Sequence, residues 1–147
     1  MARTTTLTWL ASLAVFLTLD AFWLGVGSGS LYTEALHDVM LNGFRIVPAA
    51  LFYPLQITGI VVFVLPLARH YRGLWPAAAY GALFGICTYG TYDLTNQAVL
   101  RVWTWQLTAI DMTWGAFVTA AASLTGAWID RRFRSPTQPE TPSAPRR

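Results

Sequence analysis

The residues best placed to do chemistry are three aspartates, Asp20, Asp93 and Asp111. Each lies within or at the edge of a stretch otherwise nearly free of charge. An aspartate at the centre of a bilayer costs about 2.5–3.5 kcal/mol on insertion scales, so three of them need a reason. Carboxylates gathered in a low-dielectric site suit proton exchange, capture of a cation, or general acid–base work. Asn96, Tyr53, Gln56, Tyr89, Tyr92 and Trp114 fall near them and complete a candidate ligand-binding cluster. Asp93, Asn96 and Asp111 offer the oxygens a hard divalent cation takes. No histidine lies inside an apolar stretch, so no zinc or haem site is expected, no cofactor is implied, and no catalytic role is assigned.

Each aspartate also has a purely structural explanation. Asp111 falls in the first turn of its expected helix, where the dipole favours a negative charge. Asp93 would be an N-cap if its helix stopped early. Asp20, toward the C-terminal end of its helix, would need a salt bridge to Arg45 or Arg101.

The elements that must position these groups are read from the gaps between charges. Sixteen uncharged residues separate Arg3 from Asp20, twenty-three Arg45 from Arg69, twenty Arg72 from Asp93, and eighteen Asp111 from Asp130. A membrane-crossing helix needs about 20 mostly apolar residues. The pattern predicts an all-α, four-helix transmembrane bundle over residues 1–130, with spans at Leu7–Val26, Pro48–Leu67, Leu74–Gln97 and Leu107–Ile129. Eight of the ten arginines fall on the side that holds both termini and the 68–73 loop, against Arg45 and Arg101 opposite. The positive-inside bias therefore places both termini in the cytoplasm, in the bacterial inner membrane. Residues 131–147, with prolines at 136, 139, 142 and 145 and basic groups at both ends, read as a disordered cytoplasmic tail. The outer 27–47 loop reads as a short amphipathic helix with Ser30 as N-cap, Leu31, Ala35, Val39 and Met40 on one face, and Gly43 as the residue after its end.

With a rise of about 1.5 Å per residue, Asp20 stands about 20 Å up its helix, and Gln56, Asp93 and Asp111 also reach the outer third. The inner half of the spans then holds no charged group. Gly81 and Gly85 on the third span and Gly115 on the fourth lie on ridges of small residues that let two backbones approach closely. Packing those ridges brings Asp93 toward Asp111. Pro54 is expected to kink the second span. Trp9, Trp23, Trp75, Trp103, Trp105 and Trp128 fall near span ends and read as an interfacial belt. Cys87 reads as a small packing residue, and His37 with Glu34 and Asp38 as a solvated face.

Composition agrees and excludes other classes. Of 147 residues, 54% are hydrophobic and 12% charged, against about 25% charged in ordinary soluble domains. The net charge of +3 is too small and dispersed for a nucleic-acid partner. A single cysteine excludes an internal disulfide, and no phosphate loop, nucleophile elbow or metalloprotease motif occurs.

The strings Leu19-Asp20-Ala21-Phe22-Trp23-Leu24-Gly25, Pro48-Ala49-Ala50-Leu51-Phe52-Tyr53, Gly81-Ala82-Leu83-Phe84-Gly85, Tyr89-Gly90-Thr91-Tyr92-Asp93-Leu94-Thr95-Asn96 and Asp111-Met112-Thr113-Trp114-Gly115 resemble the bacterial family designated domain of unknown function 2177. The resemblance covers roughly residues 7–127 and implies a four-helix membrane protein with no assigned activity. Its fingerprint includes Asp20, Asp93, Asn96 and Asp111. Three classes of function fit: an outer-leaflet carboxylate pocket that binds a lipid, amphiphile or cation; a proton- or cation-coupled transporter subunit working as a homo-oligomer; and a structural or assembly factor whose polar cluster only fixes the fold.

Overall fold

The computed structural model describes residues 2–27, 29–41, 43 and 45–134. Helix α1 (Ala2–Phe22) runs on into a π-helical turn, Trp23–Gly27, and is followed by a short helix, α2 (Gly29–Leu36). Helix α3 (Ile46–Gly59), a second π turn (Ile60–Val64) and α4 (Leu65–His70) form one continuous rod. Helices α5 (Leu74–Val99) and α6 (Trp105–Phe133) complete the fold, with no strand among the described residues.

Local chemistry accounts for these boundaries. Pro48 and Pro76 occupy the first turns of α3 and α5, where a backbone donor has no helical partner to lose. Thr104 caps α6 by accepting from the Leu107 amide at 3.2 Å. The π turn at 60–64 ends two residues before Pro66. In regular α-helix that proline's ring would collide with the Val62 carbonyl. The wider turn, closed by the Leu65 amide donating to the Ile60 carbonyl, lets the rod pass the proline. Pro54 lies inside α3, and Thr58 Oγ1 donates to its carbonyl at 2.7 Å.

Polarity is distributed inside out relative to a water-soluble protein. Thr8, Ser12, Gln56, Thr119 and Ser123 are buried, while Val26, Leu55, Phe63 and Val99 are more than half exposed. Such a surface is costly in water and suits lipid. Arg3–Val26, Ile46–His70 and Trp105–Phe133 are long and apolar enough to cross a membrane. Helix α5 has the length, at 26 residues, but its glycines, tyrosines and threonines make it less apolar.

Helix α6 is the centre, packed chiefly against α5 and then against α1. A Cβ added to Gly81 would lie 2.5 Å from Ser123 Oγ and 3.1 Å from Ala120 Cα; one on Gly85 would press on the Gly115 carbonyl. The α1 seam uses small polar groups, with Ser12 Oγ donating to the Ala122 carbonyl at 3.0 Å. Thr4 Oγ1 donates to the Phe133 carbonyl at 3.3 Å, and Arg69 pairs with Asp130. The start of α1, the end of α4 and the end of α6 therefore share one end of the bundle.

Several details depart from the sequence reading. Helix α6 continues to Phe133, placing Arg131 and Arg132 in its last turn; tail residues 135–147 lie outside the described residues. Helix α2 ends at Leu36, so Gly43 is not the residue after its end; instead it turns the loop with φ +112°. The Ser30 side chain, expected as a cap, lies outside the described residues. Cys87 is exposed on α5 and does not pack in the core. Trp103 is buried, its Nε1 donating to Thr108 Oγ1 at 3.1 Å, and does not belong to an interfacial belt.

Candidate functional site

At the end of the bundle opposite Arg69, α1, α5 and α6 each deliver one buried aspartate. Asp20 and Asp111 are both 7% exposed and Asp93 is 0% exposed. None of the three structural explanations applies. Helix α6 starts two residues earlier than the sequence suggests, which carries Asp111 beyond the first turn. Helix α5 runs through Asp93 to Val99, so Asp93 caps nothing. The ion pairs among the described residues are His37–Asp38, Arg69–Asp130 and Arg134–Asp130, leaving Asp20 without an arginine.

Asp20 is held by neutral donors from two helices. Tyr53 Oη donates to its Oδ2 at 2.8 Å, and Trp114 Nε1 donates to its Oδ1 at 3.1 Å. Asp111 accepts from the Tyr32 hydroxyl of α2. Burial and the neighbouring Asp111 charge push the Tyr32 hydroxyl well above its ordinary range, so it remains a donor. The Asp93 carboxyl faces Asp111 within interaction distance. Among the described residues no N–H and no hydroxyl reaches either Asp93 oxygen, and its hydrogen-bonding neighbour is Asp111, through a proton held between the two carboxyls. A buried acceptor pair left this way is costly unless a proton or an incoming donor satisfies it.

Asp20 and Asp111 open onto a cavity of about 270 Å³, close to the lower limit of about 300 Å³ for small-ligand sites. Trp23, Tyr32, Phe52, Tyr89, Tyr92 and Trp114 form most of the rest of its wall, with Leu24 and Thr88. Trp23 and Trp114 stack with centroids 4.7 Å apart and planes at 11°, making one broad aromatic surface. The Tyr89 ring rests on Gly115, where a Cβ would occupy its place. Close packing of α5 on α6 thus also sets a cavity wall.

Two sequence candidates sit elsewhere. Gln56 lies deeper and donates to Thr88 Oγ1 at 3.1 Å and Thr119 Oγ1 at 3.3 Å, tying three helices together. The Asn96 side chain meets Tyr92 rather than the carboxylates. Tyr32 and Trp23 were not legible as site residues. Trp23 follows Asp20 by three positions and so shares its helix face, a signal masked by its place at a span end. Tyr32 depends on how α2 folds back over the bundle, which no local pattern encodes.

The sequence reading also left the other end of the bundle without a buried charge. There Asp130, 3% exposed, receives Arg69 Nε at 2.9 Å, Arg69 Nη2 at 3.0 Å and Arg134 Nη2 at 3.1 Å. Asp130 lies one residue beyond the expected span, and its neighbouring arginines counted only toward the positive-inside bias.

An all-helical chain with apolar outer faces and helices of membrane-crossing length is an integral membrane protein. The family model described as "Predicted membrane protein (DUF2177)" matches residues 5–128, and the chain belongs to that family. No curated protein and no solved structure matches the chain.

Proposed function

We propose that this chain spans the bacterial inner membrane four times, with both termini cytoplasmic, and binds a lipid, amphiphile or cation in the Asp20–Asp111 cavity in the outer leaflet. Helix α5 supplies the fourth span. Its 26 residues reach about 39 Å at 1.5 Å per residue; Ala77, Gly81, Gly85 and Asp93 are buried, and the exposed Thr91 and Thr95 return their hydroxyls to carbonyls of the helix itself. The arginine asymmetry supports the orientation.

The observation that carries the binding reading is a cavity walled by two buried carboxylates, Asp20 and Asp111, with Asp93 packed behind Asp111 and no cation paired with any of the three among the described residues. A cluster selected only for stability would pair its own charges. Binding is favoured over transport because the helices close beneath the cavity, with Gly85 on Gly115 and Gly81 on Ser123.

Asp20→Asn tests this. Its amide oxygen still accepts from Tyr53 or Trp114, so the thermal midpoint should stay within about 4 °C, equivalent to about 1 kcal/mol or less. Native mass spectrometry of the protein released from nonionic micelles should show a bound small molecule on the wild type that Asp20→Asn has lost. Equal occupancy on both proteins, or unfolding of Asp20→Asn with none bound to the wild type, contradicts the reading.

A further inference from the structure

Resting on the pocket reading, we propose that the ligand is an organic ammonium carried on a hydrocarbon chain, its head in the Asp20–Asp111 cavity and its chain in the groove between α3 and α5. The head follows from charge and wall chemistry. The hydroxyls of Tyr53 and Tyr32 and the Trp114 N–H are already committed to Asp20 and Asp111, and among the described residues no cation pairs with either carboxylate. The missing complement is positive; a phosphate, sulfate or carboxylate head would meet like charge. Among the described residues no three acidic, histidine or cysteine side chains converge where they could share a metal ion. A dispersed cation fits a wall of two carboxylates and aromatic rings better than a compact one. Ring faces around carboxylates are the environment in which ammonium groups are bound through cation–π attraction, and Trp23, Trp114, Tyr89 and Tyr92 supply them.

The chain follows from a second cavity of about 480 Å³ that shares Phe52 and Thr88 with the first. Leu55, Val62, Phe63 and Phe84 line it, and Leu55, Val62 and Phe63 are more than half exposed on the apolar outer face. A Cβ on Gly59 would lie 2.5 Å from the Phe84 ring, so glycine there lets that ring lie against α3. Phe52 and Thr88 form part of the wall of both, so the two spaces adjoin, and a molecule lying across these two residues has its polar end in the cup and its apolar end toward lipid. Its chain gains no hydrophobic energy on leaving lipid for the groove; the groove orients the molecule by contact.

The experiment uses the full chain in maltoside micelles. Probes are hexadecyltrimethylammonium, hexadecyl sulfate, hexadecanol and tetramethylammonium, counted by native mass spectrometry. The wild type should bind the long-chain ammonium at least about tenfold more tightly than the sulfate or the alcohol, a difference of about 1.4 kcal/mol. Asp20→Asn should abolish that preference. Leu55→Trp, which fills the groove, should weaken the long-chain ammonium about fivefold, about 1 kcal/mol, and leave tetramethylammonium unchanged. Partition into the micelle is common to all variants and cancels. Absence of a head preference in the wild type overturns the proposal. Hexadecanol binding as tightly as the ammonium, and sensitive to Asp20→Asn, overturns the ammonium while leaving the carboxylate pocket standing. An unaltered response in Leu55→Trp overturns the chain site alone. Loss of the pocket reading itself would appear separately, as equal occupancy of the co-purified molecule on wild type and Asp20→Asn.

Discussion

Gly85→Val should destabilise the bundle by about 3 kcal/mol or more, at or above the upper end of the range for overpacked cores. A Cβ at Gly85 would overlap the Gly115 carbonyl and approach Thr119 Cβ to 2.9 Å. Neither can swing aside, because both belong to the backbone or stem of α6. The helices must separate, and the separation moves Tyr89, which rests on Gly115 and lines the cavity. Thermal unfolding followed by tryptophan fluorescence in micelles measures the loss. Gly25→Ala is the control, since nothing lies within 4 Å of a Cβ there. A Gly85→Val midpoint equal to that of Gly25→Ala would show that α5 and α6 do not pack as described.

Arg69→Ala should cost about 2–3 kcal/mol. Removing one partner of a fully buried ion pair costs about 3–5 kcal/mol, because the charge left behind is uncompensated. Two features reduce the figure. The Arg69 side chain is 32% exposed, and Arg134 keeps its bond to Asp130 Oδ1. The double variant Arg69→Ala with Asp130→Leu should recover most of the loss, since it removes the stranded charge. Urea or thermal denaturation of the purified protein distinguishes the cases. An Arg69→Ala protein as stable as the wild type would mean that Asp130 is solvated rather than buried.

These two sites show what was legible in the sequence. The glycine ridges carry a local period, Gly81 to Gly85 on one helix and Gly115 on another, so their packing can be read along the chain. The Arg69–Asp130 pair joins positions 61 apart and has no such period. The same division runs through the site. Asp20, Asp93 and Asp111 stand out because charge is expensive in apolar segments. Trp114 could be placed because it follows Asp111 by nearly one turn. Tyr32 could not, since its hydroxyl reaches Asp111 only through the return of α2 over the helix ends. For Asp20 the sequence offers two readings, a salt bridge to Arg45 or Arg101 and a cluster that includes Tyr53 and Trp114. Arginines were the obvious counter-charges, and the structure uses a tyrosine and a tryptophan instead. Neutral donors hold the carboxylate in place without cancelling its charge.

On the proposed reading, the acids at this end serve a ligand, whereas Asp130 serves the fold. The most direct test is the unfolding free energy of Asp93→Asn beside that of the wild type, both stripped of bound small molecules. On the proposed reading the one hydrogen bond Asp93 contributes is a proton shared with Asp111, and an amide there can donate to Asp111 in its place. Stability should stay level or rise by about 1 kcal/mol, as happens when a strained functional group is removed. A fall of about 2 kcal/mol or more, comparable to breaking the Arg69–Asp130 pair, would show that the cluster holds the bundle together and would contradict the ligand site.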